Sequence, residues 1–133
     1  MTENETAVQV ESLAQVALTV TDLEAAKAFY RDALGMQFLF DAGTMAFFQC
    51  SNVRLLLGMA GETQPGGGTI VYFKVADLAT AHTALLARGV TFKQDPHLVA
   101  RMKSHDLWLA FVLDPAGNVL GLMEERQRLA GSV

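Results

Sequence analysis

The sequence predicts an α+β fold: two tandem βαβββ modules forming a curved mixed sheet around a cleft, with the helices on the outside. Three observations point there. The stretch Val16–Phe38, "VALTVTDLEAAKAFYRDALGMQF", returns in outline as Val71–Phe92, "VYFKVADLATAHTALLARGVTF". Val16, Val20, Asp22, Leu23 and Ala26 match Val71, Val75, Asp77, Leu78 and Ala81, and after a one-residue gap Gly35 and Phe38 match Gly89 and Phe92. Each copy is followed by short apolar runs separated by turn residues, the mark of strands and hairpins.

Each copy opens on alternating apolar residues, which predict a strand. Asp22 and Asp77 come next. A carboxylate there accepts from the free N–H groups of a first helical turn, so both read as helix N-caps. About three helical turns follow, and Gly35 and Gly89 stand where a left-handed C-cap belongs. In the first half, strands are predicted at Met36–Phe40, Thr44–Cys50 and Val53–Gly58, with turns at "DAG" and "SN". In the second half, a strand begins at Val90–Lys93, Asp95–Ser104 reads as irregular, and Asp106–Leu113 and Val119–Glu124 are strands. "DPAGN" between the last two is a hairpin turn: Pro115 is pre-set for the first corner and Gly117 is free to take positive φ. Residues 1–12 are expected to be a tail and residues 13–125 one domain, with modules 13–59 and 69–125, linker 60–68 and a C-terminal tail 126–133.

Composition narrows the function classes. The chain has 133 residues, 51% of them hydrophobic and 18% charged, enough for one domain with a core. The net charge of -4 is mild and the basic residues do not cluster on one face, so no nucleic-acid partner is expected. No apolar run is long enough to span a bilayer, and the polar, acidic start is unlike a signal peptide, so a cytoplasmic protein without membrane attachment is expected. Cys50 is the only cysteine, and reads as a small buried residue.

The order of elements, with "VTDLEAAKAFYRDALGM" near the start and "FVLDPAGNVLGLME" near the end, resembles the vicinal oxygen chelate superfamily: glyoxalase I, bleomycin-resistance proteins, extradiol dioxygenases and their relatives. That resemblance implies a metal site built from four inward-facing positions. Carried over, they fall on Gln15, Leu56, Ile70 and Gly121. Only Gln15 could coordinate, and one neutral amide does not hold a divalent cation. The resemblance thus implies the fold while the residues argue for no metal and no other cofactor.

Strand alternation gives the rest of the cleft. Gln15, Arg54, Leu56, Ile70, Tyr72, Gly121 and Met123 share the inward parity, and analogy with the family adds His105 and Phe111, leaving Trp108 outward. A mostly apolar wall with a few polar anchors suits a small-molecule ligand. The expected function is therefore a superfamily member that has lost the usual ligands and binds an apolar small molecule, as a homodimer. Two other readings stay open. His97 and His105 could be displaced ligands of a metal-dependent lyase or dioxygenase, completed by Asp95, Asp106 or Glu124; or His105 could serve as acid or base without metal. The segment "LVARMK" between the histidines reads either as a lid or as a solvated loop.

Overall fold

In the computed structural model, residue 8 and residues 11–59 and 68–128 are described. Most of the 60–68 linker and both extreme termini lie outside the described residues. The first module is β1 (Gln15–Val20), α1 (Leu23–Ala28), which runs directly into a π-helical turn (Phe29–Ala33), then β2 (Gln37–Ala42), β3 (Met45–Cys50) and β4 (Val53–Met59). The second is β5 (Val71–Lys74), α2 (Leu78–Ala87), β6 (Thr91–Arg101), β7 (His105–Leu113) and β8 (Val119–Gln127).

Each module forms its own four-stranded mixed sheet, in the orders β1-β4-β3-β2 and β5-β8-β7-β6. The first strand of each runs parallel to the last, and the other pairs are antiparallel. The repeated caps form as the sequence predicts. Asp22 Oδ1 accepts from the Ala25 N–H and Asp77 Oδ1 from the Thr80 N–H, both at 3.1 Å. Gly35 and Gly89 take φ of 73° and 81°, a region open to glycine without steric cost.

One face of each sheet is buried under its helix. Leu55, Leu57, Ala46 and Phe48 in the first sheet, and Ala110, Val112, Leu120 and Leu122 in the second, are almost fully covered and form one continuous core with Val20, Tyr30 and Leu78. Because strand residues alternate, the intervening positions form the opposite, open face of each sheet.

Two polar contacts, one buried and one part-buried, tie the modules together. The Tyr30 hydroxyl donates to Asp114 Oδ2 at 2.8 Å, across 84 residues of sequence. Asp114 also accepts from the Ala116 and Asn118 N–H groups and from Asn118 Nδ2, which in turn reaches the Thr19 carbonyl. The helix motif and the hairpin motif are thus two halves of one lock. Burial and the adjacent Asp114 carboxylate push the Tyr30 phenol well above its ordinary pKa, which favours the protonated, donating form.

The stretch from Asp95 to Ser104 is not irregular. β6 is an 11-residue strand to Arg101, carrying three register shifts opposite β7. Pro96 obscured it: proline cannot donate to a ladder, but β6 is the edge of its sheet, where that loss is tolerated. The following hairpin is clamped. Arg128 donates to the Met102 and Lys103 carbonyls at 2.6 and 2.8 Å and to Asp106. "LVARMK" is therefore neither a lid nor a solvated loop but a strand end and its turn.

A buried carboxylate supports α2. Glu124 Oε1 accepts from the Leu78 N–H at 2.9 Å, and Arg126 grips both oxygens from the other side. These contacts hold the Glu124 carboxyl below the usual carboxylate range, with the Arg126 bond the larger cause; burial opposes them. A depressed folded pKa means the stabilisation is full above the unfolded value of about 4.3 and is lost as pH falls through the folded pKa. Urea midpoints should show Glu124→Gln less stable than the parent at pH 7, with the gap closing below about pH 4. A gap that is the same at both pH values would contradict this role.

Candidate functional site

The open faces hold most of the residues expected to line a cleft. On the first sheet Gln15 stands beside Arg54 and Ala17 beside Leu56 in parallel register. Gln49 and Phe47 oppose Arg54 and Leu56 from β3. Phe40 stacks on Phe47 with ring centroids 4.8 Å apart, and the Arg54 guanidinium lies 5.8 Å from the Phe47 centroid. On the second sheet Phe111 opposes Gly121 and Leu109 opposes Met123. Tyr72 meets Phe111 edge-on at 5.9 Å.

Ile70 stands at the margin of this array. It precedes β5, outside the strand, and is exposed.

Gly121 is buried, and the reason is Tyr72. The two are register partners, and a Cβ placed on Gly121 would collide with the Tyr72 ring, lying 2.6 Å from Cε2 and closer still to Cδ2. The space a side chain would need is filled by an aromatic ring, so the glycine makes room for Tyr72 rather than for a ligand.

His105 begins β7 and lies at the far end of the same face, opposite Gln127. Its Nδ1 is 3.1 Å from Ser104 Oγ and its Nε2 is 3.9 Å from Glu125 Oε2. Glu125 also pairs with Lys74 at 3.2 Å. Glu125 was missed from sequence, although its parity with Gly121 and Met123 on β8 was the signal that could have found it.

His97 and His105 do not converge. His97 opposes Leu109, four residues along β7 from His105, a separation of roughly 13 Å at about 3.3 Å per residue. The further donors considered with them are engaged elsewhere: Asp95 with His82, Asp106 with Arg128, Glu124 with the start of α2. Among the described residues no cluster of three or more His, Cys, Asp or Glu side chains is placed to hold a metal ion.

Several recesses adjoin these elements among the described residues, one of them, about 220 Å³, between α2, β5 and the Leu34–Met36 turn. The largest, about 700 Å³, lies between the π-helical turn and the Asp114–Asn118 hairpin, where its polar groups are already committed: Arg88 to the Ala33 carbonyl and Asp114 to the lock. A slot of about 190 Å³ runs along the seam between the modules, lined by Leu13, Val16, Val71, Tyr72 and Phe73 among others. A polar recess of about 320 Å³ adjoins it, lined by Ala14, Gln15, Gln49, Asn52 and Arg54. Asn52 and Arg54 line both.

Residues 12–122 match the family model of the Glyoxalase/Bleomycin resistance protein/Dioxygenase superfamily. The chain belongs to this superfamily. A search of curated proteins gives no match. Among solved structures, a superfamily member from Sphaerobacter thermophilus is 26% identical with a TM-score of 0.72, covering 87% of this chain and 98% of that one. A lactoylglutathione lyase from Agrobacterium tumefaciens is 25% identical with a TM-score of 0.70, covering 86% and 94%. An integron cassette protein from the mobile metagenome of V. cholerae is 19% identical with a TM-score of 0.74 over 90% and 98%, a likeness of fold. This superfamily member presents two βαβββ-type modules in one chain. Among its described residues no helix is long and apolar enough to cross a membrane.

Proposed function

We propose that this superfamily member binds a small, largely apolar molecule on its open face and seam, without the metal its relatives' positions would hold. The observation that carries the reading is the Tyr72 ring seated on Gly121, where the resemblance places a carboxylate ligand. The other three positions agree with it. Leu56 and Ile70 carry no donor atom, and Gln15 stands beside the Arg54 cation, which repels a divalent ion. The residues therefore do not fit the usual donor set, and no chemical step is assigned through a metal. What remains is an apolar and aromatic wall (Phe40, Phe47, Leu56, Tyr72, Phe111, Met123) with a few polar groups, the make-up of a small-molecule site. The separation of His97 from His105 argues in the same direction.

The reading also takes the protein as a cytoplasmic homodimer. Leu98 and Val99, 39% and 47% exposed on the edge strand β6, supply apolar surface outside that wall that pairing would cover.

Isothermal titration of the purified, metal-stripped chain with manganese, nickel, zinc and ferrous ions tests the central claim. The expected result is no stoichiometric binding. One tightly held ion per chain would overturn it.

A further inference from the structure

The seam slot and the amide-lined recess meet at Arg54, and the charges around that junction are one-sided. The recess is lined by the amides of Gln15, Gln49 and Asn52 and by the Arg54 guanidinium, with no carboxylate among the described residues. Most cationic side chains of this molecule are paired with acids: Lys27 with Asp41, Lys74 with Glu125, Arg126 with Glu124, Arg128 with Asp106. Arg54 has no acidic partner among the described residues. It is exposed, and its contact is with the Phe47 ring, which steadies the guanidinium plane without consuming its N–H donors. Glu125, the carboxylate on the open face of the neighbouring sheet, is neutralised by Lys74. Among the described residues a cationic ligand would find no unpaired acid here, whereas an anionic one would find a planar fork of donors beside amides and an apolar slot. The net charge of -4 does not cancel this, because charges beyond about 8 Å are largely screened at physiological salt.

We propose that Arg54 is an anion subsite, and that the ligand class is a flat apolar or aromatic molecule bearing a small oxyanion group such as a carboxylate. The apolar body occupies the slot beside Tyr72, and the oxyanion takes the Arg54 fork with Gln15 and Asn52 at its flank. This rests on the reading of the face as an apolar ligand site and adds to it the sign of the ligand's charge.

The test titrates the full chain with four probes: naphthalene carboxylate, its neutral carboxamide, naphthylmethylammonium and inorganic phosphate. The carboxylate should bind about tenfold more tightly than the carboxamide, the gain expected of a charge-assisted bidentate bond, and the ammonium most weakly. Arg54→Gln should bring the carboxylate down to the carboxamide's affinity and leave the carboxamide unchanged, while Lys103→Gln changes neither. Equal affinity for carboxylate and carboxamide in the parent overturns the anion subsite but leaves the apolar site standing. Phosphate binding as tightly as the carboxylate overturns the proposal in favour of a general oxyanion patch. Failure of all three naphthyl probes overturns both readings. The probe series on the parent needs no variant, so the result does not depend on how Arg54→Gln folds.

Discussion

Asp114→Ala should destabilise this protein by about 3–5 kcal/mol, the largest effect of any single polar substitution considered. The side chain is 4% exposed and accepts four hydrogen bonds, from the Tyr30 hydroxyl, the Ala116 and Asn118 N–H groups and the Asn118 side-chain amide. Removing it strands those donors, and the cost of an unsatisfied buried donor exceeds what the bond itself contributes. Tyr30→Phe deletes one of the four and should cost about 1–2 kcal/mol. Tyr30→Phe in the Asp114→Ala background should cost much less than in the parent, since its partner is already gone. Urea unfolding of the four proteins measures all three values. An Asp114→Ala cost under about 1 kcal/mol, or full additivity of the pair, would show that the helix and the hairpin are not locked through this contact.

Gly121→Ala should cost about 1–3 kcal/mol although it adds a single methyl group to a strand. An alanine is normally at least as good as glycine in an extended backbone, so the sign of this prediction depends wholly on the Tyr72 ring. The clash involves Cδ2, Cε2 and Cγ, so the ring cannot simply bend its far end away. It must leave its place between Gly121 and Phe111. In a Tyr72→Ala background the same methyl group should be accepted for less than about 0.5 kcal/mol. Thermal melts of the two single variants and the double variant provide the cycle. An equal cost in both backgrounds would mean that the ring does not occupy the space above Gly121, and the reading of the metal-ligand position as filled would lose its support.

Much of the architecture was legible because it is encoded within about ten residues at a time. The Asp22 and Asp77 caps, the glycines ending both helices, and the Pro115–Gly117 corner are local chemistry, and each took the predicted form. The one misread element, β6, failed for a local reason with a non-local answer. Pro96 argues against a strand until the sheet order shows that this strand is an edge. The candidate site was legible in residue type but less so in arrangement. Parity placed Tyr72, Gly121 and Met123 on one face and the family analogy added Phe111, yet parity stopped short of Glu125, and Ile70 falls one residue before its strand.

The sequence by itself determined that two copies of one unit make this domain, and which side chains stand at the four positions the family resemblance singles out. Hydrophobic period and cap chemistry need no knowledge of distant neighbours. Only the tertiary structure decided that Tyr72 fills the place above Gly121, that Tyr30 reaches Asp114 across the modules, and that Arg54 has no acid beside it among the described residues while Lys74 does. Those outcomes depend on the register between strands and on how the two modules pack, and no window of neighbouring residues contains either.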